Sequence, residues 1–351
     1  MTSRTPLLLL ALAAICPATA LAESTVEVYG SIDAGLRYQT NVNAAGDGML
    51  TMGTGNYYSN RLGFRGVEQL GNGLNAHFQL ENGFKSSTGE LDNTNNVLFN
   101  RTAAVGLGGA WGAVDVGRQY TIGFKTEKFL DPFNHNYTGI VPLSSGAGTT
   151  LPAAAKTAGL SASSSSGTRF NNDVQYAGSF GGLVLRAEYA LGEVAGDTAK
   201  GAAKAVGFSY TGGALLAAGA YTYKQTATGF ANHAFVAGGG ARVRGVTAKL
   251  SMSRERQDSA TAGVYQNTTR FGGVSYDVGP FDFTGAVYRS SYDSAAGAGT
   301  RELRMVGSSY ALSKRSKLYA EVDFNRYGGA LVPASKQVRQ RGMSVGLNHL
   351  F

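Results

Sequence analysis

The sequence predicts an all-β fold: a closed, transmembrane, antiparallel barrel of sixteen strands. Three observations predict it: a two-residue hydropathy period, turns that alternate between short and long, and no apolar run of about 18 residues that could form a membrane helix.

The period is plain in the first strand. Val26, Val28, Gly30, Ile32, Ala34, Leu36 and Tyr38 oppose Glu27, Tyr29, Ser31, Asp33, Gly35, Arg37 and Gln39. Successive side chains of a strand point to opposite faces, so one face meets an apolar medium and the other a polar one. A charged face of that length cannot be the core of a sandwich. The same alternation recurs at Leu74–Glu81, Leu183–Tyr189, Leu318–Asn325 and Met343–Phe351.

Short connections are expected near 72, 110, 180, 212, 240, 279 and 314, most of them rich in glycine. Long ones are expected near 40–58, 85–98, 120–168, 191–203, 225–232, 255–268, 291–301 and 327–341. The two classes alternate strictly and separate sixteen segments of roughly eight to twelve residues, about what a tilted strand needs to cross a bilayer. Short turns on one rim and long loops on the other mark an outer-membrane barrel. A soluble sandwich has no reason to sort its turns by side, and a solenoid would show a fixed repeat, which this chain lacks. With no water in the bilayer to pair a free edge, the strand ending at Phe351 must close against the first.

Residues 1–22 read as a cleaved signal peptide: Arg4, the apolar stretch Leu7 to Ile15, and the small-x-small site Ala20-Leu21-Ala22. Residues 23–351 then form one domain, since no composition break divides them. Cys16 is the single cysteine and leaves with the leader, so neither disulfides nor thiol chemistry are available. Of 31 basic and 23 acidic residues only Arg4 falls in the leader, which gives the mature chain a charge of +7. Its basic residues are spread singly along strands, which suits a lined cavity and not a nucleic-acid surface.

The segments "VYGSIDAGLRYQ", "SNRLGFRGVEQLGNGLNAHFQLENGF", "FNRTAAVGLGGAWGAVDVGRQY", "NNDVQYAGSFGGLVLRAEYALGE", "SKRSKLYAEVDFNRYGG" and "SVGLNHLF" resemble, in this order, the general diffusion porins of Gram-negative bacteria, in the branch common in beta-proteobacteria. The resemblance implies a homotrimer in the outer membrane, among lipid and lipopolysaccharide, passing small hydrophilic solutes and ions passively. It implies a third long loop that folds inward, here from Thr121 towards Gly167, and a terminal phenylalanine, Phe351, read by the barrel-assembly machinery.

A diffusion channel needs no catalytic group, metal or cofactor; rings of charge in a narrow aqueous neck set which ions pass. Arg61 and Arg65 lie four apart on the polar face, and Arg37, Arg186 and Lys249 are lumenal by the same parity. Arg101 and Arg118 match wall arginines of the family but share parity with Val105 and Val116; a β-bulge or a place beyond the lipid band would reconcile them. In "KTEKFLDPFNH", Glu127 and Asp131 at i and i+4 are expected on one face of a helical turn that Pro132 ends, and the resemblance sets them opposite the basic wall. The stretch "KTAGLSASSSSG" at 156–167 reads as flexible surface loop.

Other classes fare less well. The histidines at 77, 135, 233 and 349 lack metal-ligand spacing, there is no Gly-x-Ser-x-Gly, and "GLGGAWG" joins two strands, not a strand and a helix. A barrel-borne hydrolase would need a histidine beside a serine or aspartate at the loop rim. A substrate-specific channel would use its tyrosines, Tyr57, Tyr58, Tyr120 and Tyr137 among them, as an aromatic slide. An adhesin would use the loops, which are rich in Gly, Ala, Ser and Thr.

Overall fold

A computed structural model of the chain describes residues 24–93, 96–137, 168–259, 263–295 and 297–351. The leader and its cleavage site, and the 156–167 stretch, lie outside these residues. The strands are β1 (Ser24–Gln39), β2 (Met49–Thr54), β3 (Arg61–Gly71), β4 (Leu74–Gly83), β5 (Thr102–Gly109) and β6 (Gly112–Tyr120). After the helix α1 (Ile122–Leu130) come β7 (Arg169–Phe180), β8 (Leu183–Ala190), β9 (Ala203–Gly212), β10 (Leu215–Gln225), β11 (Ala231–Val243) and β12 (Val246–Ser259). The last are β13 (Gly263–Val278), β14 (Phe281–Asp293), β15 (Gly299–Ala311), β16 (Ser316–Gly329) and β17 (Arg339–Leu350).

Every neighbouring pair is antiparallel, and β17 pairs with β1 from Ser31↔Leu350 to Gln39↔Gly342, so the sheet closes. Both β2 and β3 pair with successive stretches of β1 and share one position in the wall. Seventeen segments among the described residues thus make a sixteen-stranded barrel. Its outer face is apolar and uncovered, with Val26 72 % and Leu250 75 % exposed, while inward Ser31 and Asp33 are fully buried. That inversion of a soluble core is what two solvents demand.

Four connections differ from expectation. The glycines 238–240 continue β11, and the chain reverses at Arg244-Gly245, both left-handed at φ 49° and 83°. Gly238 serves close approach instead: a Cβ there would lie 2.2 Å from Ser251 Oγ. The loops expected at 225–232 and 255–268 shrink because the flanking strands continue towards residues 226–230 and 260–262. Within the first long connection, Met49–Thr54 pairs with β1, and residues 55–60 turn inward over Asp33. The Asp33 carboxylate accepts from the backbone N–H groups of Tyr57 (3.3 Å) and Tyr58 (3.2 Å) and from the Tyr319 hydroxyl (2.9 Å).

Inside the barrel, α1 and the turn after it rest on the polar face of the wall. Thr121 caps the helix by accepting from Phe124 N at 3.1 Å. Glu188 of β8 accepts the free Ile122 N–H at 3.1 Å, and Lys249 of β12 donates to the carbonyls of Phe129 (2.8 Å) and Asp131 (2.9 Å). An acid on the wall meets the positive helix end and a base the negative one, so both ends of the macrodipole and some of its orphan polar groups are matched. The described interior also has an apolar cluster. Ile122 and Leu130 of α1 join it with Ala205, Ala218, Ala220 and Val236 of the wall, and Phe133 and Tyr137 with Leu303, Met305 and Tyr319, while Tyr57 is stacked on Tyr319 at 5.3 Å. This cluster holds the inward segments against the wall.

At the seam, Gly30 and Phe351 exchange backbone hydrogen bonds of 3.0 and 3.2 Å. A Cβ on Gly30 would sit 2.3 Å from a carbon of the Phe351 ring, so the ring lies over a place only glycine leaves open. Gly30→Val is therefore expected to lower the yield of the compact, heat-modifiable band on cold SDS gels several-fold, while Ala34→Val on the same outer face does not. Equal yields would show that this contact is not needed for closure. Lys249→Ala, which frees the last turn of α1, is expected to raise single-channel conductance and current noise together; an unchanged trace would mean that the apolar cluster alone fixes the segment.

Candidate functional site

The inward segments divide the lumen. On the β3–β7 side they leave a cleft of about 400 Å³, bordered by Tyr58, Arg61, Arg101, Tyr120, Phe124, Lys125, Lys128 and Arg169. Each cation reaches it by a different route. Arg61 starts β3 on the inward face, with its guanidinium 4.5 Å from the Tyr58 ring centroid and 3.5 Å from a Glu81 oxygen. Arg169 opens β7 and stacks 4.0 Å over the Tyr120 ring. Lys125 and Lys128 project from α1, with Lys125 donating to Gln175 at 2.6 Å. Tyr120 stacks in turn on Phe124 at 5.0 Å, so the cations are interleaved with aromatic faces.

Arg101 arrives in spite of its parity. It lies one residue before β5, where the pleat no longer dictates direction, and it crosses Gly83 of β4. A Cβ on Gly83 would lie 2.4 Å from Arg101 Nε, so the glycine makes room for the crossing. The guanidinium then meets Asp92 at 2.5 Å and donates to the Tyr120 hydroxyl at 3.3 Å. Arg118 takes another course. Its partner Ala103 shares a face with the outward Val105, and Arg118 donates to Asn100 O at 2.8 Å and to Asn171. The register does shift between Gly117 and Gln119, but only beyond Arg118 is the change felt.

Glu127 and Asp131 do share one side of the helix, and that side faces the wall. Both are buried; Asp131 accepts from the Tyr288 hydroxyl and, at 2.6 Å, from His135 N. Burial pushes the Asp131 carboxyl up to about 6, and burial together with the Asp131 charge holds Glu127 well above the usual carboxylate range. Burial, reinforced by Lys128 and Lys249, lowers His135 to about 3, so it is neutral at ordinary pH. Among the described residues no carboxylate borders the cleft, although Glu81 and Asp92 pair with two of its arginines.

The remaining lumenal charges lie elsewhere. Arg37 crosses Gly342 to reach Glu321 (2.8 Å) and Asp323 (2.7 Å) on β16, joining three strands. Arg65 pairs with Glu27 at 2.7 Å, both well exposed, and Arg186 donates to Ser209 at 3.0 Å. Lys249 is engaged with the end of α1. His77 meets Asp115 at 2.8 Å on β4 and β6, three residues from the short turn that opens β4 and away from the loop rim where a hydrolase site was sought. No cluster of metal-ligating residues occurs among the described residues. Tyr58 and Tyr120 border the cleft, whereas Tyr57 and Tyr137 are buried in the cluster beneath the inward segments.

Two members of the site escape sequence reading. Arg169 carries no parity signal, because it precedes the irregular Asn171-Asn172 step, where Asn172 has a φ of 53°. Asp92 lies in a loop, and nothing local announces its partner.

The Gram-negative porin family matches residues 9–330. The chain is 30 % identical to outer membrane porin protein 32 of Delftia acidovorans, over 98 % of this chain and 99 % of that protein. It is 27 % identical to the major outer membrane protein P.IB of Neisseria meningitidis serogroup B, again over 98 % and 99 %. Among solved structures, the anion-selective porin from Comamonas acidovorans superposes with a TM-score of 0.76 at 25 % identity, covering 94 % of this chain and 100 % of that one. The trimer form of OmpT from Vibrio cholerae shares the fold, with a TM-score of 0.68 at 14 % identity, covering 93 % and 99 %. With its closed sixteen-stranded wall, its lumenal charges and this match along nearly its whole length, the chain belongs to the Gram-negative porin family.

Proposed function

We propose that this porin is a homotrimeric, water-filled and weakly anion-selective channel of the outer membrane, passing small hydrophilic solutes and ions without catalysis. The carrying observation is the asymmetry of the neck: five cationic side chains border the cleft, while Glu127 and Asp131 turn into the wall. Field lines crowd where the aqueous path is narrow and its walls are of low dielectric, so this cleft outweighs the wider lumen. A unit charge about 4 Å from a passing ion is worth roughly 1 kcal/mol in bulk-like water and several times that when partly desolvated. Pairing of Arg61 and Arg101 with carboxylates tempers the field, hence a modest preference that salt screens. The likeness to the anion-selective porin from Comamonas acidovorans supports the same reading. Phe351, at the seam, is the candidate assembly signal.

Zero-current potential across a potassium chloride gradient tests the sign. The unmodified channel is expected to favour chloride, and Arg61→Ser with Arg101→Ser to lower that preference several-fold. A clear cation preference in the unmodified protein would overturn the proposal.

The pH dependence follows from Asp131. Its carboxyl is raised in the folded protein, so the proton-bound form is the one folding favours. Loop docking is then at full strength below the ordinary carboxylate range and weakens as pH rises through about 6. Protonation also removes a negative charge from the end of α1, so chloride preference is expected to rise modestly from pH 7 to pH 5. Asp131→Asn should show the acid-side value at both; a variant that keeps the full pH response would assign it to another group.

A further inference from the structure

Beneath the inward segments, on the side of the short turns, the lumen holds a second cavity of about 470 Å³. Phe129, Pro132, Phe133 and Asn136 line it from above, and its wall runs from the turn at Gly213 round to Lys317. Asn136 also borders the cationic cleft, so the two cavities adjoin.

Unlike the neck, this vestibule carries charges of both signs. Arg242 of β11, Asp277 of β13, Asp282 of β14 and Lys317 of β16 all line it, each the second residue from the short-turn end of its strand. Arg242 reaches across β12 and pairs with Asp277 at 2.9 Å. Asp282 stands directly opposite Asp277 on the neighbouring strand, a placement of like charges that destabilises a sheet. Lys317 holds its ammonium 6.0 Å from the centroid of the Tyr57 ring. With β15 between them, Asp282 and Lys317 close no ion pair with each other or with any other described residue. Lys249, the remaining cation of the cavity, is occupied by the carbonyls of Phe129 and Asp131. The vestibule thus keeps one carboxylate and one ammonium unmatched, beside an apolar roof of Phe129, Pro132 and Phe133.

We propose that this vestibule binds a small zwitterion with an apolar side chain, that is, an α-amino acid. Its ammonium lies at Asp282 beside Asp277, its carboxylate on Lys317, and its side chain against Phe129 and Phe133. The proposal rests on the channel reading and adds to it a second station, placed after the neck. Hydrogen bonds between ionised groups are roughly twice as strong as neutral ones, and only a solute carrying both signs gains one at each end here. An anion meets the two opposed carboxylates, and a cation meets Arg242 and Lys317. A neutral sugar leaves both free groups as they were. The roof then favours an apolar side chain, whose burial removes its surface from water.

Saturation-transfer NMR on the folded, full chain in non-ionic detergent tests this at neutral pH. The probes are L-leucine, leucinamide, which lacks the carboxylate, and N-acetyl-leucine, which lacks the ammonium. L-Leucine is expected to give a saturable signal that neither derivative displaces in large excess. Asp282→Asn and Lys317→Gln should each weaken leucine binding about tenfold, a loss of roughly 1.4 kcal/mol; their heat-modifiable mobility checks that they fold. The displacement arm needs no variant, so it decides even where a substitution prevents folding. The proposal is overturned if leucine gives no saturable signal, if either derivative displaces it, or if either folded variant binds it undiminished. Displacement by N-acetyl-leucine would assign the binding to the cationic neck. Conductance separates the two readings. A wild type that conducts but ignores leucine overturns the vestibule site alone, whereas one that never conducts overturns the channel.

Discussion

In hydrocarbon a backbone N–H or C=O without a partner costs several kcal/mol, and nothing in the medium can supply one. Closure of the sheet follows from that cost, and most of the remaining architecture follows from closure. A closed wall needs no continuous apolar core, so its inward residues can be Ser31, Asp33, Glu321 and Asp323, the last two tied by Arg37 across three strands. The outward residues must then be apolar without being covered. The seam where β17 meets β1 carries the same requirement, and there the Phe351 ring lies across Gly30.

A hollow wall gives an inward segment little to rest on, and two devices compensate here. Charges four strands apart on the wall, Glu188 of β8 and Lys249 of β12, match the two ends of α1, so the helix is oriented as well as attached. A small apolar cluster on Leu303 and Met305 then supplies non-directional adhesion. Facing its carboxylates into this contact leaves the helix with Lys125 and Lys128 towards the water path. The anchoring of the segment and the charge of the neck are thus two faces of one helix.

Parity made the wall readable. Arg37, Arg61, Arg65, Arg186 and Lys249 fall on the inward face because a strand has only two faces and the apolar set identifies one of them. The same logic loses its hold where the pleat ends. Arg101 stands one residue outside β5 and Arg169 beside an irregular step, and both reach the cleft by paths that tertiary packing provides. The i, i+4 spacing of Glu127 and Asp131 says that they share a side but not which side, since that depends on what the wall offers. Residues 55–60 looked like surface loop because their anchor, Asp33, is distant in sequence and is itself an ordinary member of an alternating strand.

Arg101 owes its place in the neck to Asp92, a residue of the second long connection and therefore of the region that faces the cell's surroundings. Surface loops are where antibodies and phages find purchase, and where sequence can drift with little harm to a fold. Here drift has a second readout. Losing the Asp92 carboxylate would release a guanidinium beside the ion path and so alter the charge that a passing ion meets. Variation at the loop and selectivity at the neck are thus linked through a single ion pair, and the one cannot change at this position without touching the other.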